Sequence, residues 1–266
     1  MSALAPVLYL PHGGGPMPLL GDPSHADLVR FLETLPGRFA RPRAVVLISA
    51  HWEAAQPGVY LDAAPSLLFD YCGFPPQTYE YRYPAPGDPE LAETIQGLLA
   101  IEGISSSAVE GRGFDHGMFV PMMLLWPEAD MPCVQLSLIK GLDPERHLQL
   151  GEALQELRRR NVAIIGSGMS FHNLQALFAQ DQSQLRQASA DFNQWLIHTM
   201  SGEADDEARR AALAAWEDAP WARFSHPREE HLLPLHVCAG AAGFTRAEVI
   251  YNAPLMGHNV SGFGWF

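Results

Sequence analysis

Three short runs in this chain are apolar or small at almost every position: Val7–Leu10, Ala44–Ala50 and Val162–Gly166. None alternates with polar residues, so each predicts a strand buried on both faces, as in the interior of a parallel sheet. A histidine follows every one of them. His12 comes directly after Pro11, His51 directly after Ala50, and His172 four residues after Gly168. Ligand sites in open α/β sheets lie beyond the carboxyl ends of the strands, so the pattern predicts three histidines at one sheet edge.

Between these runs the pattern shifts to helical period. Helices are expected over 26–35, over 88–100 with Asp88 as N-cap and Pro89 at the first position, and from Asp143 to Arg160. Further helical patterns cover Gln182–Met200, Asp205–Ala219 and, interrupted by Pro234, Pro227–Ala242. Strands are expected over Met131–Leu138 and Glu248–Tyr251, and Gly113–Gly117 reads as a glycine-bracketed turn. The stretch from Glu53 to Pro86 is a long loop carrying Phe69, Tyr71, Phe74, Tyr79, Tyr81 and Tyr83. A loop of that length in a compact domain is usually functional, and its aromatics suit a cover over a pocket. No repeat or linker divides the chain. The expectation is an α/β fold: one domain, residues 1–266, with a mostly parallel central sheet flanked by helices.

Composition narrows the function classes. With 47% hydrophobic and 18% charged residues the chain suits a compact globule. Its formal net charge is −13, and its longest basic run is Arg158–Arg160. Phosphate backbones need clustered Lys and Arg, so no nucleic-acid partner is expected. No apolar segment approaches the roughly 20 residues that span a bilayer, and the first residues do not resemble a signal peptide. The three cysteines, Cys72, Cys133 and Cys238, are far apart and form no disulfide framework. A cytoplasmic monomer or small homo-oligomer is the expected setting.

Eleven histidines invite a metal reading. His25, His147, His198 and His236 are expected to be surface or satisfied core residues; His226 and His258 are undecided. His12, His51, His116, His172 and His231 stand beside strand ends, glycine turns or a helix start. Imidazole is a common ligand of Zn and Fe, and no His-Glu-x-x-His is present. A serine hydrolase fits poorly: Gly166-Ser-Gly-Met-Ser170 has the wrong order for a nucleophile elbow, which leaves His12-Gly-Gly-Gly15 no nucleophile to serve.

The motifs Pro11-His-Gly-Gly-Gly-Pro16, Ser49-Ala-His-Trp52, Tyr83-Pro-Ala-Pro-Gly87, Gly113-Phe-Asp-His-Gly117, Gly166-Ser-Gly168 with His172-Asn173, and Glu230-His-Leu-Leu-Pro-Leu235 follow one another along the chain. In order and spacing they resemble the DOPA-dioxygenase-type branch of the LigB-like (class III) extradiol ring-cleavage dioxygenases. The resemblance implies a non-haem metal site that opens a catechol beside its two hydroxyls, using O2. It implies His12 and His51 as metal ligands, His172 as acid/base and His116 as the group facing substrate and oxygen. The wider class has a glutamate as third ligand; here the matching stretch is Glu229-Glu230-His231, with His231 favoured, Glu230 the alternative and His226 a weaker candidate. The implied metal is Fe(II) for oxygenation, with Zn(II) often found in this branch, so a zinc-binding hydrolase or binding protein on the same fold is the alternative. Tyr71 and Phe74 are expected against a small aromatic substrate, and Arg82, Arg112 and Arg223 are candidates for a carboxylate.

Overall fold

A computed structural model describes residues 4–177, 179 and 183–266. The start of the helix expected at Gln182 lies outside them. The strands are β1 (Val7–Pro11), β2 (Ala44–Ala54), β3 (Gly58–Tyr60), β4 (Ser107–Val109), β5 (Cys133–Ile139), β6 (Val162–Gly168), β7 (Glu248–Leu255) and β8 (His258–Trp265). They form one sheet in the order β4-β3-β5-β2-β6-β1-β8-β7. Its centre is parallel, β5-β2-β6-β1, and antiparallel pairings join β3 to β5, β8 to β1 and β7 to β8.

The helices are α1 (Ala26–Thr34), α2 (Pro89–Ile101), α3 (His116–Leu125), α4 (Pro144–Ala153), α5 (Gln155–Arg159), α6 (Leu174–Leu177), α7 (Ser183–Ser201), α8 (Asp206–Ala214), α9 (Ala222–Ser225) and α10 (Leu233–Ala241). Two apolar cores sandwich the sheet. Val46, Ile48 and Ile164 pack with Leu148 of α4 and Val237 of α10 on one face. Val45, Leu47 and Ile165 pack with Leu28 of α1 and Met118 of α3 on the other. Successive strand residues thus enter opposite cores, which is why these strands read as unbroken apolar runs. The fold is a single-domain α/β fold with a mostly parallel sheet. Among the described residues no helix is long and apolar enough to cross a membrane.

Several local expectations change. β2 does not stop at His51 but continues to Ala54, with a register shift against β5 between Ile48 and Glu53. A bulge of this kind re-aims a side chain, and His51 sits in it. The Gly113–Gly117 stretch is a turn only as far as Asp115, whose carboxylate caps α3 by accepting from Met118 N–H; His116 is the first helical residue. Pro234 does not interrupt a helix but stands in the first turn of α10, where a missing N–H costs nothing. His258 opens β8, half of a hairpin closed by Met256 and Gly257 at positive φ, the backbone of a two-residue turn.

Candidate metal centre

His12 follows β1, and its buried ring places Nδ1 3.0 Å from Ser167 Oγ. The Ser167 hydroxyl donates its single proton to the Gly117 carbonyl, so the proton between them belongs to His12 Nδ1. This tautomer leaves a lone pair on Nε2. His51 Nε2 lies 3.1 Å from it, while His51 Nδ1 faces Asp70 Oδ2 at 3.8 Å. With the His51 proton on Nδ1 toward Asp70, two lone pairs would oppose one another at that distance, and a cation between them would relieve the repulsion. Nitrogens about 2.0–2.1 Å from a metal and at right angles around it stand about 3 Å apart. The donor pair therefore fits a metal ion.

His116 is tied to the aromatic loop. Asp70 Oδ1 accepts from its Nδ1 at 2.8 Å and from its backbone N–H at 2.9 Å. Its ring centroid is 3.9 Å from that of His51. On the other flank, the turn before α10 delivers His231. Its carbonyl accepts from Tyr9 OH at 2.8 Å and from Met169 N–H at 3.0 Å, and its ring lies 5.3 Å from His12 and 4.8 Å from His51. His172 stacks on His231 with centroids 3.4 Å apart and planes 18° apart. One oxygen, Glu230 Oε1, accepts from both: 2.9 Å from His231 Nδ1 and 3.2 Å from His172 Nδ1.

The Nδ1 of each of these histidines faces a side-chain oxygen, leaving its Nε2 available. Ligating atoms of His12, His51 and His116 fall within 4.8 Å of one another, as do those of His172, Glu230 and His231. Burial, reinforced by neighbouring histidines, pushes the imidazoles of His12 and His231 well below their ordinary range. Burial and the nearby His116 push His51 down to about 3. The neutral imidazole is the form that binds a metal. Burial works against the Asp70 and Glu230 carboxylates, but hydrogen bonds from His116 and His172 respectively outweigh it and hold both below the usual carboxylate range.

A cavity of about 660 Å³ opens over these rings, and Tyr71 and Phe74 line it. Phe69 and Tyr79 pack behind Tyr71, with centroids 6.1 and 5.4 Å from it. His226 lies elsewhere, its ring against Phe192 and Trp216. His25 is buried and serves the glycine loop, its Nε2 accepting from Gly14 N–H at 3.0 Å. Arg82, Arg112 and Arg223 do not line the cavity, whereas Arg228 does. Ser167, Asp70 and Arg228 were not evident from sequence as site residues. Only Ser167 left a signal, standing between the two glycines of a motif.

The sequence from residue 22 to 264 matches the family described as the catalytic LigB subunit of aromatic ring-opening dioxygenase. The chain is 41% identical to "Dioxygenase tasH" of Hapsidospora irregularis, over 98% of this chain and 86% of that protein. It is 39% identical to the 4,5-DOPA dioxygenase extradiol of Beta vulgaris, over 92% and 90% of the two chains. Its identity to the protein of that name in Escherichia coli is 32%, over 90% and 86%. A crystal structure of an uncharacterized protein from Escherichia coli K12 superposes with a TM-score of 0.80 at 28% identity, covering 98% of this chain and all of that one. The chain belongs to the LigB family of extradiol aromatic ring-opening dioxygenases.

Proposed function

We propose that this chain is a metal-dependent extradiol dioxygenase acting on a catechol-type substrate, DOPA-like or related, and that His12, His51 and His231 hold the metal. The observation that carries this is the pair of opposed Nε2 atoms 3.1 Å apart, with His12 held as an acceptor by Ser167 behind its Nδ1 and the Asp70 carboxylate 3.8 Å from His51 Nδ1. His231 is backed by Glu230, as ligating histidines commonly are by a carboxylate. Both Glu230 oxygens already have partners, the second being Arg228 Nη1 at 3.4 Å, which favours a supporting role for Glu230 over ligation. Bound Fe(II) would carry electrons between the catecholate and O2, which Zn(II), without redox chemistry, cannot do.

The protein's own groups would supply the rest. His172, with Nδ1 on Glu230, presents Nε2 to take the proton from a catechol hydroxyl and later return it. His116, held by Asp70 at both ring and backbone, would orient the substrate from the opposite side. Tyr71 and Phe74 would form an apolar wall against the ring. The overall reaction balances without another reductant: both oxygen atoms enter the product as the ring bond beside the hydroxyls breaks.

A second ligand set, His12, His51 and His116, is favoured by the closeness of their ligating atoms. His116→Ala and His231→Ala separate the two sets, since only loss of a ligand should strip the metal. The function itself is tested by reconstituting the protein anaerobically with Fe(II) and following O2 uptake with catechol. One O2 per catechol is expected with Fe(II) and none with Zn(II). Absence of uptake at full Fe(II) loading would reject the proposal.

A further inference from the structure

His51 stands where β2 has no strand partner. The ladder to β6 ends at Ser49, and the ladder to β5 skips from Ile48 to Glu53. The backbone N–H and C=O of His51 must therefore bond elsewhere, and both end in one network. The N–H donates to Ser49 Oγ at 3.1 Å, and the C=O accepts from Arg112 Nη2 at 3.2 Å. Ser49 and Arg112 meet at the buried Asp115 carboxylate. Ser49 Oγ donates to its Oδ1 at 2.7 Å, and Arg112 Nη2 donates to its Oδ2 at 2.9 Å. Met118 N–H and Gln135 Nε2 donate to the same two oxygens.

A buried carboxylate is costly unless it is paired and hydrogen-bonded, and a fully satisfied network of this kind is rigid. The guanidinium is equally committed. Its Nη1 donates to the Gly113 carbonyl at 3.0 Å and faces Gln135 Oε1 at 3.5 Å, and its carbon lies 4.6 Å from the centre of the Trp52 ring. Ser49, Arg112 and Asp115 do not line the cavity, but two histidines that do are joined to them. One is His51. The other is His116, which follows Asp115 and opens the helix that Asp115 caps. The packing between them is close: a Cβ added at Gly117 would lie 2.6 Å from Ser49 Oγ and 3.0 Å from His51 Cδ2.

We infer that Arg112 and Ser49, joined through Asp115, are positioning residues of the metal centre. They clamp both backbone groups of the bulge that aims the His51 ring, and they fix that ring relative to His116, without touching metal or substrate. The inference rests on His51 being a metal ligand. It does not depend on which aromatic substrate the cavity takes.

Two variants test this, with Co(II) as the probe because its visible absorption reports ligand geometry without turnover. Arg112→Lys keeps a positive charge beside Asp115, but an ammonium cannot reproduce the fixed fork of a guanidinium. Ser49→Ala removes the other arm of the clamp. Each should bind Co(II) about tenfold more weakly in competition with a chelator, the lower end of the effect of losing a ligand's support. Each should also shift the Co(II) absorption bands. Both arms act on one residue through one carboxylate, so the double variant should lose less than the product of the two single losses. His147→Gln is the control for a merely structural effect: it should lower stability and leave Co(II) affinity and bands unchanged. Unchanged affinity and bands in Arg112→Lys and Ser49→Ala overturn the inference. So does an equal loss in His147→Gln, or a double variant whose losses simply multiply. If His51→Ala binds Co(II) as tightly as the unaltered protein, His51 is not a ligand and the positioning role falls with that assignment. Loss of Co(II) in His51→Ala, with Arg112→Lys and Ser49→Ala unaffected, overturns the positioning role alone.

Discussion

Glu230 Oε1 holds two stacked histidines at once, at 2.9 Å from His231 and 3.2 Å from His172. Such neighbours are hard to tell apart by position, but their chemistry differs. Removing a ligand drains the site of metal, while removing an acid/base leaves the metal and slows proton transfer. His231→Ala should therefore lose metal. His172→Ala should keep it and lose turnover by about 10²–10⁴-fold, the usual contribution of a positioned acid/base. Metal content and turnover measured on the same preparations decide the matter, and the reverse pattern would exchange the two roles. Glu230→Gln removes the charge behind both rings. It should weaken metal binding by about 10–100-fold, the typical effect of losing a ligand's supporting partner, as read by competition with a chelator.

At the scale of elements, close backbone approach sets where the ligands stand. Gly168 ends β6, and its carbonyl accepts from His12 N–H at 3.2 Å. A Cβ there would lie 2.1 Å from the His231 carbonyl oxygen, so the strand end and the turn carrying His231 must separate if Gly168 becomes Ala. Overpacking of this kind costs about 1–3 kcal/mol, and the displaced turn should also bind metal more weakly. A Gly168→Ala protein with unchanged denaturation midpoint and metal affinity would contradict the geometry. The same glycines were legible as a motif, because a Gly-x-Gly after an apolar run stands out in sequence. β1, β2 and β6 were legible for a similar reason, each being apolar through both faces. By contrast, α3 is apolar all round (Phe119, Val120, Met122, Leu125 all buried) and offers no period to read. The eight-residue β8 contains Gly262 and Gly264, which suppress a strand signal yet allow it to lie against Tyr9. Asp70 was not legible as a site residue, since its partners His51 and His116 are remote in sequence and only the folded loop joins them.

Across the whole molecule, burial of neutral histidines ties stability to pH. Outside the metal centre, His147 and His236 are each pushed down by burial to about 4, and His226 to about 3. Burial holds each neutral: His147 Nε2 accepts from Ile139 N–H at 3.1 Å, while His236 and His226 donate through Nε2 to the carbonyls of Leu213 and Ser170, bonds that favour the charged ring but are outweighed by burial. In the unfolded chain a histidine titrates near 6.5. Between that value and its folded value, the unfolded state binds the proton and the native state does not, so stability falls as the pH falls. The contribution is fully present above about pH 6.5 and is lost progressively down to about pH 4 for His147 and His236, and about pH 3 for His226. Near pH 5 each group should contribute a slope on the order of 1.4 kcal/mol per pH unit. Denaturant unfolding of the metal-free protein should therefore show stability declining steeply from pH 6.5 to 4, without the added effect of metal release. His147→Gln removes one titrating group remote from the metal centre. Its stability should be lower at pH 7, through the lost imidazole bonds, but should decline less steeply on acidification. A slope identical to that of the unaltered protein would mean that His147 is not among the groups that unfold this molecule in acid.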